Sequence, residues 1–379
     1  MKNGSFWDEN EYAPWTAAWI AKETLLCLVE RRLPKHLLVR KKVSPFWYYG
    51  LKKHLRPSGK ISVGFGPVVE DEYNIGVRGS RIDPIVNELN VSHATYAAGI
   101  FFEFDEMAQF DIIVIVKEFH PGIYPLIETL KAQGKRFFYD IVDNPFCTDR
   151  RSVSYHEHPE FLRLMDGVIS SSPIQTADVT PLNPNVALIE HPIINFERST
   201  YPQKNSVDIL WQGYMANVDA MFGLHRVLEQ IRQTTRQDVR MIYHSNCPTH
   251  TEGMFRYVKW HIRDWQKMLA AVDIGIVVKP PDNEIQRRKP ANKVLSYMAA
   301  GLPVVCTPTA ADQLMIEHGK HGFFAYTAEE WYYYLKELVE HADLREKIGQ
   351  AARDVAWANF RIDSITQKYV DLFQHMLPR

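Results

Sequence analysis

Arg287, Arg288, Lys289 and Lys293 fall within seven residues of one another, around Pro290 and Asn292. Before them, an apolar run from Val272 to Val278 (VDIGIVV) reads as a buried parallel strand. After them, KVLSYMAA reads as a helix with Asn292 in the N-cap position. Gly301 and Pro303 end that helix, and Pro303-Val304-Val305 opens the next apolar run. A helix N-terminus presents unpaired N–H groups and a partial positive charge, so cations gathered there are unfavourable unless an anion binds. Phosphate or diphosphate fits that description. Arg288, Lys289, Asn292 and Lys293 are therefore candidate phosphate ligands, and a solvated basic loop is the plainer alternative.

A second set of titratable side chains gathers in the first half of the chain. Phe110 to Val116 (FDIIVIV) reads as a strand that delivers Lys117, Glu118 and His120. Phe137 to Val142 (FFYDIV) reads as the next strand and delivers Asp143 and Asn144, with Asp140 inside it. Ligands of open α/β sheets bind at the carboxyl ends of strands. Asp143 is the first candidate for a general base toward an attacking hydroxyl, and His120 the second. The alternative for Asp143 is an Asx turn before Pro145.

The elements that must position these residues form a βαβ rhythm on both sides of a polar, Pro-containing stretch. Ile61 to Phe65 opens the first series, and Met165 to Ser172 and Val186 to Pro192 end it. Val207 to Trp211 (VDILW) opens the second, with Gln212-Gly213-Tyr214 as its first strand-to-helix turn. Gly213 would let backbone N–H groups approach a diphosphate. Val239 to His244 and Tyr257 to Trp260 read as further strands, and Thr327 to His341 as a helix opened by a T-A-E-E cap. The fold class is α/β, with two Rossmann-like domains. The boundaries expected are an extension over 1–60, a first domain over 61–192, a linker over 193–206, a second domain over 207–360, and a final helix over 361–379 that returns to the first domain.

At 379 residues the chain exceeds one typical domain. A net charge of −1 argues against a general polyanion binder, so no nucleic-acid partner is expected. Four cysteines lie far apart with no C-x-x-C, which suits a reducing cytosol rather than a zinc site or a disulfide framework. No signal pattern follows Met1, and no apolar run approaches the ~20 residues that span a bilayer. Arg31 to Arg56 holds nine cations and no acid, interleaved with Phe46, Trp47, Tyr48 and Tyr49. Such a segment suits an anionic membrane surface, a packed extension, or an RNA.

The segment NKVLSYMAAGLPVV, with DIGIVV before it and an acidic helix after it, resembles the donor-binding half of GT-B glycosyltransferases. The resemblance covers about residues 61–376 and is strongest over 207–345. It implies two Rossmann-like domains facing across a cleft, with a nucleotide-sugar diphosphate bound mainly by the second. Many retaining members carry two glutamates eight positions apart here; this chain has Arg288 and Ser296 at those positions. The resemblance makes Gly213 a donor phosphate-binding residue and His244, Trp260 and Ser296 nucleotide-binding candidates, with a buried core role as the alternative for Trp260. It places Arg78, Arg81 and Glu118 on the acceptor side, with structural loop cations as the equal alternative for Arg78 and Arg81. The activity implied is sugar transfer from a nucleotide-sugar donor to a glycan or lipid-linked acceptor, as in cell-surface polysaccharide or glycolipid synthesis. No cofactor is expected, and no metal, because no DxD stands at the resembling positions. The location expected is cytoplasmic, at the inner membrane face. The alternatives are a glycan-binding or scaffold protein and a sugar-nucleotide epimerase.

Overall fold

Ile112–Val116 (IIVIV) and Ile274–Val277 (IGIV) are buried along their whole length. Strands covered on both faces take this near-continuous apolar form in parallel sheets. Each lies inside its own six-stranded sheet. The computed structural model describes residues 59–68, 77–117, 121–142, 153–193, 204–213, 221, 223–245, 255–260, 265–279 and 283–376. His120, Glu118, Asp143 and the extension before residue 59 lie outside the described residues.

The first sheet contains β1 (Ile61–Gly66), β2 (Tyr96–Ile100), β3 (Ile112–Val116), β4 (Arg136–Asp140), β5 (Gly167–Ser170) and β6 (Val186–Leu188). Their order is β2-β1-β3-β4-β5-β6, every pair parallel. The second contains β7 (Ser206–Gln212), β8 (Asp238–Ser245), β9 (Phe255–Lys259), β10 (Ile274–Val277), β11 (Val304–Cys306) and β12 (Phe323–Phe324). Their order is β12-β11-β10-β7-β8-β9, again parallel. The order reverses between β1 and β3 in one sheet and between β7 and β10 in the other. Ligand crevices of such sheets open outside the carboxyl ends of the strands at these points.

The last helix, Ile362–Met376, packs on the helix Asp83–Ser92 beside the first sheet. Phe373 lies 5.2 Å from Phe138 and 6.1 Å from Tyr96, ring centre to ring centre. Tyr369 donates its hydroxyl to Asp140 Oδ2 at 2.6 Å. Arg81 Nε donates to the same oxygen at 2.7 Å, and its other nitrogens reach the carbonyls of Ile189 at 3.1 Å and Glu190 at 3.2 Å. Burial alone would lower the Arg81 pKa, but Asp140 and Tyr369 outweigh it and hold the guanidinium above its ordinary value. This corrects the expectation that Arg81 lines an acceptor site. Arg78–Ile82 is a π-helical turn leading into the next helix, and it sends Arg81 inward at 1% exposure.

Removing one partner of a buried, hydrogen-bonded ion pair leaves the other charge uncompensated, at about 3–5 kcal/mol. Arg81→Met is expected to lower unfolding free energy by that amount in urea titration. Tyr369→Phe, which removes only one hydrogen bond to a charged group, is expected to cost ~1.5–3 kcal/mol.

Candidate functional site

The crevice between β7 and β10 brings together Gly213 and Lys293. Trp211, at 1% exposure near the end of β7, stacks on Tyr243 with ring centres 5.1 Å apart. The Lys293 ammonium lies over the Trp211 ring, 5.3 Å from its centre, a cation–π arrangement. Gly213 follows the strand and donates its N–H to the His244 carbonyl at 3.1 Å. A Cβ at Gly213 would stand 2.8 Å from Lys293 Nζ and 2.8 Å from the Trp211 ring. The missing side chain is therefore what lets the lysine lie across the turn.

Lys293 has no hydrogen bond or ion pair to any carboxylate among the described residues. Burial, and then the neighbouring Lys289 and Lys279, push its pKa down to about 7. A cation held in a partly buried place without a counter-ion is an arrangement that an incoming anion would relieve. Lys279 is different: it is 8% exposed and pairs with Asp312 at 2.6 and 2.9 Å. Asp312 also accepts from the N–H and hydroxyl of Thr309, each at 2.8 Å, so the turn after β11 spends those groups internally.

Arg288, expected as a phosphate ligand, is engaged by two carboxylates. Its Nε donates to Asp178 Oδ2 at 2.7 Å, and its Nη1 pairs with Glu284. Asp178 belongs to the helix Pro173–Val179 beside the first sheet, and Arg288 ends the helix Glu284–Arg288 beside the second. Ser172 Oγ adds a bond to the Arg288 carbonyl at 2.8 Å. Lys289 follows at that helix's C-cap, partly exposed and near enough to Lys293 to act on its charge.

Asn292 is the first residue of the helix Asn292–Ala299, not its cap; Ala291 holds that position and makes no side-chain cap bond. The Asn292 Oδ1 is buried without a hydrogen-bond partner among the described residues. Ser296 turns its hydroxyl back to the Asn292 carbonyl at 2.8 Å. The His244 side chain is buried, with the residue 1% exposed, so it offers no open edge to a base. Trp260 is partly exposed just past β9, its N–H bonded to the Ser245 carbonyl at 2.7 Å.

In the first domain Arg78 pairs with Asp83, both carboxylate oxygens within 3.2 Å. Burial raises the Asp83 pKa to about 6 against the pull of Arg78. The backbone is left-handed at Lys117 (φ 61) and Val142 (φ 58), one residue past β3 and two past β4. For a β-branched residue such a conformation costs of order 1–3 kcal/mol and is typical of functional strand ends. Among the described residues no group of three His, Cys, Asp or Glu side chains converges as a metal site would. No helix among them is long and apolar enough to cross a membrane.

Residues 206–341 match the family model described as Glycosyl transferases group 1. A glycosyltransferase from Rickettsia africae aligns over 85% of this chain and 100% of its own, at 13% identity and a TM-score of 0.64. The HepE protein of Anabaena, in complex with UDP and glucose, aligns over 83% of this chain and 100% of its own, at 12% identity and TM-score 0.59. The fold is GT-B. TarM shares it at 15% identity and TM-score 0.56 over 69% of this chain, and the chain spans only 54% of TarM's length. No curated protein matches the sequence. In GT-B terms, the family match begins at β7 and includes the whole Gly213–Lys293 crevice.

The depressed Lys293 pKa has a definite sign. A lysine with a folded value of about 7 against 10.5 unfolded gives a stability contribution present in full above 10.5 and lost as pH falls toward 7. Lys293→Met removes that loss. Its melting temperature is expected to exceed that of the wild type at pH 7 and below, with the gap closing as pH rises toward 10. A gap independent of pH would mean that the ammonium is not desolvated.

Proposed function

We propose that the chain is a glycosyltransferase that moves a sugar from a nucleotide-sugar donor to a glycan or lipid-linked acceptor. The observation that carries this reading is the uncompensated Lys293 ammonium, laid across Gly213 at the β7–β10 switch point. The family match over residues 206–341, and the UDP bound to the HepE protein in the same fold, support a nucleoside diphosphate as the anion.

In the reaction, the bond between the sugar's anomeric carbon and the diphosphate oxygen breaks, and its electron pair leaves with the diphosphate. Lys293, assisted by Lys289 and the first N–H groups of the helix Asn292–Ala299, takes up that charge. The acceptor hydroxyl forms the new bond and gives up its proton, for which Asp143 is the candidate base and His120 the second. Arg288 acts in this scheme by holding the two domains together across Asp178, not on the phosphates.

The test is calorimetry with nucleoside diphosphates, together with donor hydrolysis across a panel of nucleotide-sugars. Lys293→Gln is expected to weaken diphosphate binding by ~1.5–3 kcal/mol, the worth of a charge-assisted hydrogen bond. A scaffold would hydrolyse no donor, and an epimerase would interconvert free nucleotide-sugars.

The segment from Arg31 to Arg56 is proposed to hold the enzyme at an anionic membrane surface, where a lipid-linked acceptor would be found. Each basic residue near such a surface contributes ~1 kcal/mol, screened by salt. Liposome co-sedimentation is expected to fall with salt and with Lys41, Lys42, Lys52 and Lys53 changed to Gln. Binding indifferent to both changes would leave a packed extension.

A further inference from the structure

The chain leaves the first sheet through a short strap, residues 189–193, and both ends of that strap are fastened. Arg81 donates to the carbonyls of Ile189 and Glu190 at 3.1 and 3.2 Å. The Glu190 carboxylate takes Lys368 of the final helix. At the other end, the Ile193 N–H donates to the Phe360 carbonyl at 2.8 Å, just before that helix begins. His191 stands between the two fastenings and is 3% exposed.

Neither ring nitrogen of His191 has a hydrogen-bond partner among the described residues. A neutral imidazole carries one donor and one acceptor, and leaving both unbonded in a buried place is costly. An apolar side chain would fill the place without that cost. What the imidazole adds is a proton that goes on near neutral pH.

The closed strap opposes that proton. Burial first, and then the charge of Arg81, push the His191 pKa well below its ordinary 6.5. The acids of the neighbouring elements are engaged with other groups. Asp140, at the end of β4, gives Oδ2 to Arg81 and Tyr369, and its Oδ1 makes no hydrogen bond to His191 or to any other described residue. Glu190 is held by Lys368, and Asp363 by Arg361. Opening the strap removes both obstacles, because the ring then meets water and leaves the guanidinium. A depressed histidine gives stability that is present above 6.5 and lost as pH falls below it.

We propose that His191 makes this strap an acid-sensitive latch, in which proton uptake releases the final helix from the first domain while both sheets stay folded. The helix Ile362–Met376 follows the whole second domain and packs on the helix Asp83–Ser92 of the first, so its release uncouples the two halves. The latch is independent of what the cleft binds. His158 is the competing source of acid sensitivity. It lies in the helix Val153–Leu164, is pushed down to about 4 by burial, and packs edge-on against Tyr139 inside the first domain. Its protonation would loosen the first sheet rather than the strap.

The test is hydrogen exchange of the full chain, followed by mass spectrometry between about pH 7.5 and about pH 5 and corrected for intrinsic exchange rates. Protection of residues 362–376 is expected to fall by up to about tenfold per pH unit below 6.5, the signature of one proton. Ile112–Val116 and Ile274–Val277 are expected to keep theirs. His191→Phe and His191→Asn should each give the helix a flat profile, whatever level of protection remains, and His158→Gln should keep the wild-type slope. The slope is the readout, because a variant that merely loosens the packing lowers protection equally at every pH. A wild-type helix whose protection ignores pH overturns the latch, as does a loss that reaches both central strands at the same rate. So does a slope that survives in both His191 variants, or one that vanishes in His158→Gln. The first two outcomes need only the wild type, so they decide the matter even where a variant fails to fold.

Discussion

One carboxylate oxygen joins the parts of this molecule that the chain brings together last. Asp140 Oδ2, at the end of β4, receives both Arg81 and Tyr369. Arg81 in turn holds the carbonyls of Ile189 and Glu190, where the chain leaves the first sheet. Tyr369 belongs to the final helix, which reaches the first domain only after the whole second domain has been built. An apolar contact could bury as much area, but it would not fix direction. A guanidinium and a phenol on one oxygen set the angle at which the last helix crosses, and with it the place of the strand end that leads toward Asp143.

The fold was largely legible because its central strands are written in plain terms. FDIIVIV, VDILW and VDIGIVV each combine an apolar run with the length of a strand. The strands that escaped were those without that signature. Tyr96–Ile100 (YAAGI) is mostly small residues, and Phe323–Phe324 is two residues long. The register of β2 beside β1 places Ala97, Ala98 and Gly99 opposite Ser62, Val63 and Gly64, a position defined by close approach rather than by propensity.

The site was legible in composition and not in allocation. The sequence shows four cations around one helix start, but nothing in it says which have partners. Asp178, more than a hundred residues away, takes Arg288. Asp312 takes Lys279. Arg81 looked like a loop cation because the π-helical turn that carries it inward has no sequence signal of its own. Lys293 is distinguished only by what does not approach it, a property of the folded chain.

The Arg288 bridge also sets what kind of hinge this is. Its side chain and that of Asp178 keep 21% and 23% of their exposure, so the pair is neither sealed from solvent nor loose in it. Glu284, within the second domain, holds another nitrogen of the same guanidinium at the same time. Separating the domains would therefore break the Asp178 contact and still leave the arginine paired. Because the bridge reaches solvent, dissolved salt weakens it, and the cleft is held less tightly as ionic strength rises.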